Sequence, residues 1–175
     1  MSVNIANQGS FTLDAGISGS SADLINGVTL DGQTWNAAGT VTWTNDLNFI
    51  YIEFPSAATF VGAQIYGDSD DVYMLQAWVG GSWQQMWPVS HELSISPSTI
   101  HGRASGQVGA TFVPAGLTSQ TTNKLRIGRA ADAPNDFQYS LSEIELYVNS
   151  PVPEPSTFVL LGAGLSVLAL RRFRS

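Results

Sequence analysis

The stretch DLNFIYIEF, residues 46–54, is the strongest indication of the fold. Its side chains alternate between two faces, one with Leu47, Phe49 and Tyr51 and the other with Ile50, Ile52 and Phe54. Successive side chains of a β-strand point to opposite faces of a sheet, so this alternation predicts a strand. Because both faces are largely apolar, we expect the strand at the centre of a β-sandwich rather than at its edge.

Similar patterns follow along the chain. Residues 58–67 are predicted to form the next strand. A hairpin should come after it, because two alternating runs are separated by two glycines, which can both adopt positive φ. Counting by two places Trp83 and Trp87 on the same face of the second hairpin strand. The hairpin strands are predicted at 72–79 and 82–89, later strands at 110–116, 123–130 and 137–148, and a long connection at 89–109.

The composition also favours an all-β domain. The 175 residues include 17 Gly, 5 Trp, 5 Tyr and 8 Phe, and no helical period is visible before residue 158. Short strands joined by glycine-rich turns have such a composition, and the length suits one core with a short appendage. We therefore predict a jelly-roll β-sandwich of roughly eight strands.

The charge distribution limits the possible partners. Residues 1–150 carry 13 acidic and 4 basic side chains, whereas residues 151–175 carry 1 acidic and 3 basic ones. An acidic body argues against nucleic acid as a ligand, since phosphate contacts require clustered lysine and arginine. The chain has no cysteine, which excludes disulfides, thiol nucleophiles and thiolate metal sites.

Enzyme signatures are missing from the sequence, including a glycine-rich phosphate loop, a nucleophile elbow and an HExxH motif. His91 and His101 lie in the polar connection and are expected to be solvated. The acidic run GDSDD, residues 67–71, lacks EF-hand spacing and is expected to be a turn rather than a calcium loop. A glycosidase would need two paired carboxylates, and nothing selects a pair among Asp68, Asp70, Asp71, Glu143 and Glu145. We expect that the chain is not an enzyme.

Tryptophans are candidates for a sugar-binding platform, because the apolar face of a pyranose ring packs on an indole. In a small sandwich most tryptophans belong to the core. Trp35, in the turn-rich segment LDGQTWNAAGT of residues 30–40, is expected to be the exposed one and a candidate ligand-binding residue.

Several segments together resemble the discoidin-like, galactose-binding-like jelly roll. They are LINGVTLDGQTW at 24–35, IYIEF at 50–54, the hairpin region at 62–87, KLRIGRAAD at 124–132 and YSLSEIELYV at 139–148. Many members of that family bind glycans, and many hold a structural calcium ion between an early loop and the closing strand.

The resemblance implies two sets of site residues. A calcium ion would be held by Asn26, Asp31, the main-chain carbonyl of Ser142 and the carboxylate of Glu143. The loops that bind ligands would emerge near Arg126, Arg129 and Asp132. The chain lacks a clear match for the sugar-gripping histidine and arginine of the family, so no specific glycan is implied.

The C-terminal tail has three unlike parts in a fixed order. The motif Val152, Pro153, Glu154 and Pro155 comes first. An apolar run follows, with Phe158, Val159, Leu160, Leu161, Leu165, Val167, Leu168 and Leu170, and a basic stop of Arg171, Arg172 and Arg174 ends the chain. This order resembles the PEP-CTERM sorting signal, which an exosortase recognises and cleaves in the inner membrane of Gram-negative bacteria.

The dimensions of the apolar run agree with a transient anchor. As a helix, residues 158–170 would reach only about 20 Å, against a bilayer hydrocarbon core of about 30 Å. The arginines at its end would remain on the cytoplasmic side and leave the proline-rich motif outside.

The chain is thus predicted to have three parts: a sandwich at 1–148, a proline-rich spacer with the sorting motif at 149–156, and a hydrophobic helix with a basic tail at 157–175. The expected protein is exported, anchored briefly in the inner membrane and released to the cell surface or extracellular matrix. Its expected partners are an exosortase and an extracellular polysaccharide. The first sixteen residues contain no signal peptide, so either the native start lies upstream or another export route is used.

The role of the sandwich is expected to be adhesive or structural. A calcium-dependent carbohydrate-binding module is the alternative, and a glycosidase fragment is a further one.

Overall fold

The structure is a computed structural model that describes residues 2–45, 47–92, 98–114, 116–130 and 138–149. In this part of the chain lie ten antiparallel strands and two short 3-10 helices, Ala6–Gln8 and Ser21–Ile25. The strands are β1 (Ser2–Asn4), β2 (Ser10–Leu13), β3 (Val41–Trp43), β4 (Phe49–Asp68), β5 (Tyr73–Val79), β6 (Ser82–Val89), β7 (Ile100–Val108), β8 (Thr111–Val113), β9 (Gln120–Arg129) and β10 (Tyr139–Asn149).

The long strand β4 joins two layers of sheet. Its first half pairs with β2 and β9, and its second half pairs with β10 and β7. The register against β9 shifts between Glu53 and Ala58, a stretch that includes Pro55, which has no N–H for a ladder hydrogen bond. The two strands predicted at 46–54 and 58–67 are therefore one strand of 20 residues with an irregular centre.

The two layers enclose a single core. The first layer has the order β2, β4, β9, β5 and β6, and the second has β10 beside β4, with β1 and β3 beyond β10 and with β7 and β8 on the other side. Ile50, Ile52 and Phe54 all lie in the core, as their alternation predicts. The predicted all-β jelly-roll sandwich is confirmed.

The predicted hairpin is also confirmed, with φ of +61° at Gly80 and +84° at Gly81. Strand β6 has a bulge at Met86, because Leu75 pairs with Trp87 and the next residue, Gln76, pairs with Gln85. The extra residue reverses the alternation, so Trp83 and Trp87 lie on opposite faces of the strand. The prediction that Trp83 and Trp87 share a face is therefore wrong. Trp87 is buried in the core, and Trp83 lies on the outer surface.

The prediction of a long connection at 89–109 is wrong at its second half. Strand β7 occupies Ile100–Val108 and pairs with the second half of β4. The sequence of β7 lacks the apolar alternation typical of a strand, because polar residues occupy some of its buried positions. Arg103 and Ser105 are both buried, and each is hydrogen-bonded to main-chain groups of other segments.

The C-terminal predictions concern residues beyond the final strand. Apart from Asn149, the predicted spacer at 149–156 and the hydrophobic helix within 157–175 lie outside the described residues. In the residues that are described, the helices are too short and polar for any of them to cross a bilayer.

Candidate functional site

One outer surface of the first layer carries a group of aromatic rings around an arginine. Tyr51 of β4 is paired in register with Arg126 of β9, and Arg126 is paired with Gln76 of β5. Residues paired in register project from the same face of a sheet, so these side chains stand side by side. The group, which we call the aromatic–arginine face, consists of Phe49, Tyr51, Trp78, Trp83 and Arg126.

Arg126 lies at the centre of this face. Its guanidinium carbon is 3.9 Å from the ring centroid of Phe49 and 4.5 Å from that of Trp83. Both distances are in the range of favourable cation–π contacts. Its Nε donates a hydrogen bond of 2.7 Å to Oε1 of Gln76, which orients the planar group. The guanidinium forms no other hydrogen bond with a described residue.

A glycine makes room for one of the two rings. Gly128 of β9 is paired in register with Phe49. A Cβ atom at residue 128 would lie 2.6 and 2.8 Å from carbons of the Phe49 ring and 2.9 Å from the carbonyl oxygen of Asn48. The ring therefore lies directly over the backbone of β9, beside Arg126.

The rings form a continuous surface across the layer. The ring centroids of Phe49 and Tyr51 are 6.3 Å apart, and those of Tyr51 and Trp83 are 6.0 Å apart. Trp78 meets Trp83 edge to face at 5.2 Å and is 40% exposed. Partly exposed aromatic rings gathered on one surface indicate an interaction site rather than a buried core.

The few basic residues of residues 1–150 are unevenly placed. These residues contain only four basic side chains, Arg103, Lys124, Arg126 and Arg129. Arg103 is buried, whereas Lys124 and Arg126 are both on β9, two residues apart, and so share its outer face. Lys124 also contacts Glu53 at 3.2 Å, with both side chains exposed. The aromatic–arginine face is thus a locally cationic surface on an acidic body.

The structure separates the predicted ligand-binding residues. Arg126 is in the aromatic–arginine face. Trp35 lies in a loop that pairs with the residues just before β7, in the second layer. Its main-chain N–H donates a hydrogen bond to the main-chain carbonyl of Ser98. Arg129 is the last residue of β9, and Asp132 lies outside the described residues.

The predicted calcium ligands come from segments that meet, but their oxygens already have other partners. Glu143 accepts a hydrogen bond of 2.9 Å from the N–H of Gly27. Asn26 Oδ1 accepts one of 2.7 Å from the N–H of Val28. The Ser142 hydroxyl donates to the carbonyl of Thr29, and Asp31 is in contact with His101. Calcium binding by these residues stays a prediction of the sequence, and an ion held here would have to coexist with these hydrogen bonds.

Glu143 has a strongly perturbed environment. Its side chain is only 4% exposed, and burial raises its pKa to about 7. The negative charge of Glu145 raises the pKa further, whereas the N–H groups of Gly27 and Asn26 partly offset the effect. The carboxyl group thus fastens the early loop to the closing strand β10.

His101 lies on β7 rather than in the predicted loop. Its Nδ1 is 3.0 Å from Oδ1 of Asp31, and its Nε2 is 3.2 Å from Oε2 of Glu92. Glu92 also lines a pocket of about 360 Å³ together with Trp87 and Arg103. Among the described residues, no group of three or more histidine, cysteine, aspartate or glutamate side chains is arranged to hold a metal ion.

The acidic run at 67–71 ends β4 and turns towards β5. Arg103 donates hydrogen bonds to the main-chain carbonyls of Asp68 and Asp71, at 2.7 and 2.9 Å. Asp71 also accepts a hydrogen bond of 3.2 Å from the hydroxyl of Tyr73. These contacts are those of a structural turn held by a buried arginine.

Comparison with known proteins separates the tail from the body. Residues 151–174 match the PEP-CTERM protein-sorting motif. The PEP-CTERM match covers the tail alone and agrees with the tripartite order of its sequence. No curated protein matches the chain.

The body is similar in fold to family 32 carbohydrate-binding modules (CBM32). The module of NanJ from Clostridium perfringens in complex with galactose has a TM-score of 0.57 and 9% identity over 84% of this chain and 99% of that one. The CBM32 of AlyQ in complex with 4,5-unsaturated mannuronic acid has a TM-score of 0.53 and 11% identity over 78% and 92%. A truncated AlyQ with CBM32 and alginate lyase domains has a TM-score of 0.58 and 13% identity over 90% of this chain, which spans 37% of that protein. The predicted discoidin-like, galactose-binding-like fold is confirmed.

Sequence reasoning missed most of the aromatic–arginine face, although it contains signals for parts of it. Alternation in residues 46–54 already places Phe49 and Tyr51 on one side of the strand. A two-residue turn at Gly80 and Gly81 also implies that Trp78 and Trp83 face each other across the hairpin. Only the strand order brings these two pairs together around β9.

Proposed function

We propose that this chain is an exported protein that an exosortase sorts through its C-terminal PEP-CTERM motif, and that its sandwich binds carbohydrate. The role is adhesive or structural, at the cell surface or in the extracellular matrix. The match of residues 151–174 supports the sorting step. It also implies that the tail anchors the chain in the inner membrane only until it is cleaved.

The aromatic–arginine face is the observation that carries the carbohydrate proposal. Sugar rings bind to aromatic surfaces through their C–H faces while their hydroxyls need polar neighbours. The rings of Trp78 and Trp83 supply the aromatic surface, and the side chains of Gln76 and Arg126 supply the polar neighbours. The similar modules of NanJ and AlyQ are described in complex with galactose and with an unsaturated mannuronic acid, which adds support.

A non-catalytic role is part of the proposal. A glycosidase requires two carboxyl groups on opposite sides of a sugar-sized cleft. The buried Asp68 and Asp71 belong to the turn around Arg103, and Glu143 fastens a loop. None of these carboxyl groups lies on the aromatic–arginine face.

Affinity electrophoresis of the full-length chain in gels containing a panel of polysaccharides tests carbohydrate binding. At least one polysaccharide should retard the wild type, and Trp83→Ala should remove the retardation. Phe112→Ala is the control, because Phe112 is an exposed ring on β8 of the second layer, and it should migrate like the wild type. Absence of retardation in every gel, or equal effects of the two substitutions, would contradict the proposal.

Sorting is tested separately in a host that has an exosortase. The native gene should carry an epitope before Ser150, and the epitope-bearing product should be shortened and released from the membrane. Glu154→Ala and Pro153→Ala should leave it full-length and membrane-bound, whereas Ser156→Ala serves as a control outside the four-residue motif. If all versions remain full-length in the membrane, the sorting proposal fails.

Calcium dependence remains a prediction of the sequence. A calcium ion near Glu143 would share its carboxylate with the N–H of Gly27. Thermal unfolding at pH 7.5 with calcium or with a chelator measures this directly. Equal melting temperatures, together with unchanged retardation in the polysaccharide gels, would exclude a calcium-dependent module.

A further inference from the structure

We propose that the aromatic–arginine face recognises an acidic polysaccharide, whose sugar rings carry carboxylates, and that it binds an internal stretch of the chain across the strands. This inference rests on the proposed carbohydrate-binding function and names its substrate class and its mode of binding.

The state of Arg126 indicates a carboxylate as the ligand group. Its Nε is already bound to Gln76, and its plane is held against Phe49 and Trp83. The two terminal nitrogens have no hydrogen-bond partner among the described residues. A guanidinium fixed in this way presents parallel N–H groups, which match the two oxygens of a carboxylate. A carboxylate offers two oxygens to these paired N–H groups, whereas a single hydroxyl offers one.

The charge of the surroundings supports the same ligand. The described body is acidic, and an acidic polymer is repelled from most of its surface. Lys124 and Arg126 place two of its four basic side chains on this face. Among the described residues, Glu53 next to Lys124 opposes them, and Asp14 lies at the edge of the face, where its carboxylate accepts a hydrogen bond from the N–H of Phe49. The face is therefore the place where an anionic chain meets a favourable local charge.

The shape of the face determines how the chain lies. Five side chains in register form a row across the whole first layer: Thr12, Tyr51, Arg126, Gln76 and Gln85. Neighbouring strands are separated by about 4.8 Å, so the row is about 19 Å long. Such a row accommodates several sugar rings, and it lies on an open sheet surface rather than in a pocket. An internal stretch of a polysaccharide fits this surface, whereas a single terminal sugar would use only a part of it.

The test uses polymers that differ only in the carboxylate. The full-length chain is run in gels that contain polygalacturonate or alginate, or the same polymers after reduction of the carboxyl groups to alcohols. We expect the acidic polymers to bind at least about tenfold more tightly than the reduced ones, a difference typical of a lost bidentate contact. Raising the salt concentration should weaken the binding of the acidic polymers.

Substitutions at Arg126 test whether this residue causes the preference for acidic over reduced polymers. Arg126→Gln should weaken binding of the acidic polymers by about tenfold and leave the reduced polymers nearly unaffected, while Arg126→Lys should recover only part of the loss. Trp83→Ala should remove the retardation by both the acidic and the reduced polymers. Near-ultraviolet circular dichroism of each variant checks that it is folded, and Phe112→Ala is again the control on the second layer.

Oligouronides of increasing length test whether an internal stretch of the polysaccharide binds along the row of side chains that crosses the strands. Affinity should rise from the monomer to the tetramer if several rings contact the row, and a monomer that binds as tightly as the tetramer would overturn this mode. Equal binding of acidic and reduced polymers would overturn the carboxylate preference and leave carbohydrate binding intact. If neither kind of polymer binds, the acidic-polysaccharide inference fails, and the proposed function fails with it only if no polysaccharide of the wider panel retards the chain. Burial of the face by a second copy of the chain in sedimentation experiments would overturn both.

Discussion

Two arginines in the same sandwich illustrate two different uses of one side chain. Arg103 is only 6% exposed, lies 5.1 Å from the ring centroid of Tyr73, and donates to the main-chain carbonyls of Asp68, Asp71 and Ser90. Arg126 also lies against aromatic rings, but it is partly exposed and has a single hydrogen-bond partner, Gln76. The number of donors that remain available, rather than the residue type, distinguishes a structural arginine from a candidate ligand-binding one.

Replacing these two arginines should give the largest contrast. Arg103→Met leaves three main-chain carbonyls without their donor and should lower the free energy of unfolding by about 3–5 kcal/mol. Arg126→Met removes one hydrogen bond and two ring contacts at a solvated surface and should cost only about 1 kcal/mol. Urea unfolding of both variants measures the difference. Similar losses of unfolding free energy would mean that Arg126 is as important for stability as Arg103.

The two tryptophans of β6 extend the comparison to the core. Trp87 is 2% exposed, so Trp87→Ala should cost about 3–4 kcal/mol through lost burial and a cavity. Trp83 covers the outer surface, and Trp83→Ala should cost roughly 1–2 kcal/mol while abolishing polysaccharide binding. Chemical denaturation and gel retardation of the same preparations separate the two effects. A reversed order of stabilities would argue against the bulge that places them on opposite faces.

Gly128→Ala should disturb the aromatic–arginine face with a smaller loss of stability. The new methyl group would collide with the Phe49 ring, which should cost about 1–3 kcal/mol and displace the ring from Arg126. Phe49→Leu in the same chain should relieve much of the collision, so the double variant should be more stable than the sum of the two changes predicts. Additive effects in this double-mutant cycle would show that ring displacement is not the cause.

The carboxyl group of Glu143 should make a modest, pH-dependent contribution. Because its pKa is raised from 4.5 to about 7, the folded chain holds this proton more tightly than the unfolded chain. The resulting stabilisation is complete below pH 4.5 and is lost as the pH rises through about 7. Relative to Glu143→Gln, the wild type should therefore lose about 1–2 kcal/mol of unfolding free energy between pH 5 and pH 8. Parallel pH profiles for the two proteins would contradict the raised pKa.

The sequence permits prediction wherever a single strand or turn carries the information. The alternation of residues 46–54, the hairpin at Gly80 and Gly81 and the closing strand are all confirmed in outline. Strand β7 was missed because Arg103 and Ser105 are polar residues at buried positions, and only their main-chain partners make their burial favourable. The bulge at Met86 was missed for a similar reason, since a shift of register depends on the neighbouring strand.

The sequence by itself determined the all-β class, the faces of the single strands and the sorting motif of the tail, because each depends on neighbours along the chain. Only the tertiary structure decided which faces meet. Phe49, Trp83 and Arg126 come from β4, β6 and β9, and the order of these strands in the first layer brings them together. That order is set by burial of the shared core, a sum of non-local contacts that no local pattern records.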